Sequence, residues 1–171
     1  MRVASLYRCC PEVDTGFTKA DRFEKRGQAS FCVYFARGCC TEGVNCRFYH
    51  RVPQMEDIPT FEADNMKDVF GRSRHATFKE NRTGIGSFAK DCKILVVSRI
   101  KFDDSDLETD APTGKSIPVE FTAKDIVRLV YEQFSPWGEI EDIIFNQSRL
   151  FVYIKFRYRV SAEFAREAMQ N

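Results

Sequence analysis

The sequence predicts an α+β protein in which a small metal-binding module and a connector pack on a unit of order strand, helix, strand, strand, helix. Three observations lead there. Four of the chain's seven cysteines and one of its two histidines fall from Cys32 to His50. Beyond Lys93 the apolar residues switch between the period of a strand and that of an amphipathic helix. The 171 residues are 43% hydrophobic and include 16 phenylalanines, enough apolar surface for one ordinary core or two small ones. The longest uninterrupted aliphatic run is Ile94–Val97, far below the roughly 18 residues a bilayer crossing needs, and the start MRVASLYRCC lacks an apolar signal core. A soluble, intracellular protein with no membrane partner is expected. The 7 cysteines are odd in number and clustered, which suits metal ligation in a reducing compartment better than a disulfide framework.

After an N-terminal segment over 1–30, the module over 31–52 carries Cys32-x7-Cys40-x5-Cys46-x3-His50. Three thiolates and an imidazole are a standard tetrahedral set for one structural zinc ion, Zn2+. Cys46 and His50 lie one helical turn apart, which predicts that a short helix presents both. Cys39 competes with Cys40 as the second ligand; Cys40 is favoured because the x7-x5-x3 spacing resembles CCCH zinc fingers. Around the ligands stand Phe31, Tyr34, Phe35, Phe48 and Tyr49, with Arg37 and Arg47 between them. A module this small cannot bury so many rings by itself, so some lean on neighbouring segments or stay exposed. Exposed rings beside arginine suit unpaired bases, and core packing is the competing use of each.

The connector over 53–92 is too long for a structureless loop. Phe61, Met66, Val69 and Phe70 predict a helix capped by Thr60 and stopped at Gly71. Arg72, Arg74, His75, Phe78, Lys79 and Arg82 then alternate base and ring, a composition that can follow a phosphate backbone and that a solvated linker shares.

From 93 to 171, Ile94–Val97 reads as a strand. Thr122 and Asp125 open a helix with Ile126, Leu129, Val130 and Phe134 on one face, ended by Pro136 and Gly138. Strands follow over 139–145 and 149–157, joined by a turn at Asn146-Gln147-Ser148. In the last strand Leu150, Val152, Ile154 and Phe156 face one way, while Arg149, Phe151, Tyr153, Lys155 and Arg157 face the other. A second helix from Ser161 turns Phe164, Ala165, Ala168 and Met169 inward. The order βαββα, with RLFVYIKF matching a basic, aromatic, aromatic, aromatic pattern, resembles an RNA recognition motif. It departs at Val96, where an aromatic is usual, and at Leu150 and Val152, where small residues are. Stacking is therefore expected on Phe151 and Tyr153, flanked by Arg149 and Lys155; a sheet covered by another element would make the same rings core. The motif's fourth strand is missing, so the chain reads as part of a longer protein.

The net charge of +1 hides a contrast: residues 1–102 hold eighteen basic against twelve acidic side chains, and residues 103–120 hold one against six. A polyanion partner is permitted on the basic part. An enzyme finds little support. Thr113-Gly114-Lys115-Ser116 lacks the first glycine of a phosphate-binding loop, where Thr109 stands, and Pro118 breaks the helix that should follow. No catalytic Ser, His and Asp set is recognisable, and no small-molecule substrate is expected.

The sequence RCCPEVDTGFTKAD, the finger SFCVYFARGCCTEGVNCRFYHRVP, the connector elements FGR, Phe78 and GIGSFAK, and the motif behind them resemble together the Cwc-two (Cwf-two) family of pre-mRNA-splicing factors over nearly the whole chain. The resemblance implies a nuclear, non-catalytic RNA-binding unit of the spliceosome, associated with proteins of the nineteen complex. It would contact U-six small nuclear RNA and pre-mRNA intron near the 5′ splice site and help shape the catalytic RNA. It places contacts on Tyr34, Arg37 and Phe48, on Phe78, and on Phe151 and Tyr153. An mRNA-binding regulator built from the same two modules, or a protein-docking module with a covered sheet, is the alternative.

Overall fold

The computed structural model of the chain describes residues 8–22, 29–76, 86–98, 108–109, 116–117 and 122–170. Phe78, Arg82 and most of the acidic stretch from Asp103 to Glu120 lie outside the described residues. Two short helices, α1 (Pro11–Asp14) and α2 (Val33–Ala36), and the helix α3 (Ile58–Ala63) precede the strand β1 (Ile94–Val97). A two-stranded ribbon of β2 (Glu108–Thr109) and β3 (Ser116–Ile117) interrupts the acidic stretch. Then come α4 (Ala123–Phe134), β4 (Ile140–Asn146), β5 (Phe151–Phe156) and α5 (Arg159–Met169). Among the described residues no helix is long and apolar enough to cross a membrane.

β1, β5 and β4 form an antiparallel sheet in that order, Leu95 facing Ile154 on one side and Ile143 facing it on the other. The expected alternation in β5 sets its core face, since Val152, Ile154 and Phe156 are all fully buried. α4 starts where the sequence placed it. Thr122 Oγ1 accepts from the backbone N–H of Asp125, whose carboxylate accepts from the backbone N–H of Thr122, and this capping box satisfies two donors a helix start would leave orphaned. Its apolar face is narrower than the periodicity implied: Ile126 and Phe134 are buried, Val130 is half-buried, and Leu129 is exposed. At the end of the α4 region Gly138 stands at φ 148°, and a Cβ there would lie 2.3 Å from Ser161 Oγ and 2.5 Å from its Cβ. Only glycine lets the entry to β4 pass this close to α5.

Three local readings are corrected. The connector helix covers Ile58–Ala63, with a proline in its first turn, and ends at Asp64 before Met66. Val69 and Phe70 reach the core from a turn that Asp68 builds, its carboxylate accepting from the backbone N–H groups of Phe70 at 3.1 Å and Arg72 at 2.7 Å. Gly71, at φ 79°, closes that turn rather than a helix. Arg149 and Leu150 belong to the β4–β5 turn and not to the strand. Leu150 takes φ 52° and is exposed, because Asn146 Oδ1 captures Ser148 Oγ at 2.8 Å and the backbone N–H of Arg149 at 3.2 Å and so tightens the turn.

The core does not stop at the sheet. Phe164 of α5, fully buried, meets the rings of Phe31 at 6.1 Å, Phe35 at 6.5 Å, Phe70 at 5.6 Å and Trp137 at 5.9 Å between centroids. The cysteine-rich segment, the connector and the sheet unit therefore share one apolar interior, which answers how so many rings of a small module are buried.

Candidate metal centre and nucleic-acid interface

The ligand atoms of Cys32, Cys40, Cys46 and His50 all lie within 4.8 Å of one another. Cys46 Sγ is 3.8 Å from Cys32 Sγ and 4.0 Å from Cys40 Sγ. A tetrahedral ion with metal–sulfur bonds of about 2.3 Å sets its sulfurs about 3.8 Å apart, so the spacing is that of a cation cage. His50 Nε2 is buried with no hydrogen-bond partner, as an imidazole nitrogen reserved for a metal would be. Burial pushes the Cys32 thiol up to about 12 and raises that of Cys46, so their thiolates call for a cation to offset the charge. Cys39 is outside the cluster and Cys40 inside it.

The helix expected between Cys46 and His50 is not there. Cys46 is extended, and the chain bends at Arg47 and Phe48 before Tyr49 and His50 bridge to Phe31 and Gly16. The bridges do what a helical turn would have done: Cys32 donates its backbone N–H to Tyr49 O at 3.0 Å, which brings the first ligand beside the last two. Cys32 Sγ accepts the N–H of Phe35 at 3.4 Å, and the Phe35 ring stacks on the His50 imidazole at 5.0 Å and 13°, fixing its plane. The N-terminal segment closes the other side through Gly16 N–H to His50 O at 3.0 Å and Lys19 N–H to Cys46 O at 3.0 Å.

The structure separates the residues proposed for RNA into distinct groups. Tyr34 and Phe48 are exposed at the rim of the metal module. Arg37 and Arg72 both turn to Glu167, a carboxylate only 2% exposed: Arg37 Nη2 is 2.5 Å and Arg72 Nη2 2.9 Å away, and Arg72 Nε also bonds Asp68 at 2.6 Å. Arg74 is buried and donates to Ser87 O at 2.6 Å and Lys90 O at 3.1 Å, so it ties the connector together and cannot meet a phosphate. On the outer face of the sheet Tyr153 is exposed, Phe151 is half-buried, and Arg149 is exposed in the turn. Lys155 is exposed too, but its ammonium pairs with Glu141 at 2.8 Å. The register sets Val96 and Ile144, both more than half exposed, on either side of Tyr153.

Glu167 was missed by sequence reasoning, and no local signal marks it, since it lies 130 residues from Arg37. Burial alone would raise its carboxyl, but the pull of Arg72 and the hydrogen bonds and charge of Arg37 overcome this and hold it below the ordinary value of 4.5. A depressed carboxylate contributes stability that is complete above the unfolded value and lost as pH falls through the folded one. Glu167→Gln is therefore expected to flatten the decline of the melting temperature below about pH 4.5. An acid limb identical to that of the parent chain would show that the two arginines are not held through this carboxylate.

Comparison with known proteins adds lineage to this geometry. The Torus domain family matches residues 1–72, a stretch that takes in the N-terminal segment, the four ligands and the connector through Arg72. Pre-mRNA-splicing factor cwf2 of Schizosaccharomyces pombe is 36% identical over 170 residues, 99% of this chain and 37% of the relative. Pre-mRNA-splicing factor CWC2 of Kluyveromyces lactis is 32% identical over 171 residues, and that of Saccharomyces cerevisiae 34% over 172, each alignment taking 99% of this chain and 46% of the relative. The chain thus spans less than half the length of these relatives. From end to end the chain is similar to the Cwc2/Cwf2 pre-mRNA-splicing factors, and its residues 1–72 match the Torus domain family.

Proposed function

We propose that the chain is a non-catalytic, nuclear RNA-binding part of the spliceosome, which contacts U-six small nuclear RNA and intron near the 5′ splice site beside proteins of the nineteen complex. The observation that carries the reading is the alignment of 99% of the chain with proteins named pre-mRNA-splicing factors. The geometry supports it. Rings stand exposed on two surfaces, at the metal module and on the sheet, and the shared core around Phe164 fixes the distance between them. Two weak sites on one rigid body gain affinity because the second contact becomes intramolecular. Such a body favours one RNA shape over others and needs no hydrolysis.

In this reading the cation is zinc, for which three thiolates and one imidazole are a standard closed set. Residues 31–52 are then a CCCH finger, preceded by a segment over 1–30 and followed by a connector over 53–92. Residues 93–171 are an RNA recognition motif, whose strands would lie first, third, second across the sheet, as β1, β5 and β4 do. The fourth strand of such a motif would pair with the outer edge of β1.

Tyr153→Ala is expected to weaken single-stranded RNA binding by about 1–3 kcal/mol with the melting temperature little changed, because an exposed ring contributes more to stacking than to the core. Unchanged affinity with a large loss of thermal stability would turn the sheet into a covered docking face. Crosslinking in cell extract, with the linked RNA mapped, tests the assignment as a whole. Links to small nuclear RNA and intron are expected, and links confined to messenger untranslated regions would replace splicing by mRNA regulation.

A further inference from the structure

We infer that Phe17, in the N-terminal segment, is a third base-stacking platform, set on the flank of the metal centre. The inference rests on the RNA-binding reading above and extends it to a residue outside the finger and the sheet. Phe17 is the most exposed ring among the described residues, at 62%. Its backbone, unlike that of most exposed loops, is fastened on both sides. Before it, the backbone N–H of Thr15 donates to Pro11 O at 3.3 Å and that of Gly16 to His50 O at 3.0 Å. After it, Thr18 is 1% exposed and donates its N–H and Oγ1 to the Asp21 carboxylate at 2.8 and 2.9 Å, and Lys19 N–H reaches Cys46 O at 3.0 Å.

Two of these anchors are backbone carbonyls of metal ligands, so the folding of the centre itself sets the position of the ring. An aromatic side chain has only two rotatable bonds, and a backbone already ordered adds little further entropy cost on binding. That is how a stacking platform is preorganised. The charge nearby selects its occupant. Lys19 and Arg22 follow, both exposed, and Arg47 and Phe48 stand exposed in the bend between Cys46 and His50, the two residues to which Lys19 and Gly16 are bonded. A ring whose own and adjoining segments carry three exposed cations suits an unpaired base with its phosphates, and not an apolar protein surface, which would leave those charges to be desolvated.

The test is a binding titration of the 171-residue chain with a mixed-sequence single-stranded RNA oligonucleotide, comparing Phe17→Ala, Phe17→Leu and Phe17→Tyr with Phe48→Ala. Phe17→Ala and Phe17→Leu are each expected to weaken binding about 5- to 150-fold, the equivalent of 1–3 kcal/mol per stacked base, while Phe17→Tyr keeps the parent affinity. Metal content and melting temperature should stay at parent values, because the ring covers little of the core. If Phe17→Leu binds like the parent, apolar contact suffices and stacking at this site is overturned. If Phe17→Ala binds like the parent while Phe48→Ala does not, this platform fails and the RNA reading stands. If the parent chain shows no affinity for the oligonucleotide, or neither alanine variant changes it, the RNA reading of the metal module falls together with this inference.

Discussion

Cys46→Ser is expected to empty the metal site and unfold the segment from Phe31 to His50. Cys46 is buried at the middle of the cluster, 3.8 Å from Cys32 Sγ and 4.0 Å from Cys40 Sγ, and a serine hydroxyl there is a poor soft ligand. The other forces in the segment are few: α2 has four residues, and His50 would be left with a buried, unpartnered nitrogen. Structural zinc sites contribute roughly 10–16 kcal/mol of apparent binding free energy, more than the whole stability of many domains. Elemental analysis should therefore fall from one metal per chain toward none, with amide dispersion lost from Phe31 to His50. Cys39→Ser, whose thiol stands outside the cluster, should keep its metal. Full occupancy in Cys46→Ser would reject this ligand set.

Phe164→Ala is expected to cost about 3–5 kcal/mol, near the upper range for a single core truncation. The ring is fully buried and meets four others drawn from the metal segment, the connector and the turn before β4, so no one neighbour can relax into the space left behind. For a chain of this size such a loss corresponds to a fall in melting temperature of about 6–20 °C. The metal should remain bound, since no candidate ligand is touched, while a chelator should extract it faster because the metal segment loses its support. A loss below about 1 kcal/mol would mean that the metal segment and the sheet unit do not share their interior.

What the sequence by itself determined was local. The four candidate ligands were legible because a tetrahedral ion requires a particular set of donors, and the resemblance of the x7-x5-x3 spacing to CCCH zinc fingers favoured Cys40 over Cys39. β5 was legible because one side of it is buried, so Val152, Ile154 and Phe156 recur at two residues, and α5 because its apolar Phe164, Ala165 and Ala168 recur at helical spacing. The start of α4 was legible from its capping residues, which act within four positions of each other.

The destinations of charge were decided only by the tertiary structure. Arg37, Arg72 and Arg74 have the composition of a phosphate-binding stretch, yet two of them hold Glu167 and the third is buried against backbone carbonyls. Nothing near them in sequence points to Glu167, because a guanidinium donates to a carboxylate, a phosphate or, less strongly, a carbonyl, and pairs with whichever the fold brings within about 3 Å. The same holds for Cys46 and His50, joined by bridges to Gly16 and Phe31 instead of by a helix. It holds too for Phe17, an unremarkable ring in sequence, whose backbone is tied to the metal loop where Gly16 and Lys19 bond to His50 O and Cys46 O. Periodicity and spacing record which side of an element is buried and which atoms a metal needs. The identity of a long-range partner depends on how elements far apart in the chain pack, and that is fixed by the shape of the common core around Phe164.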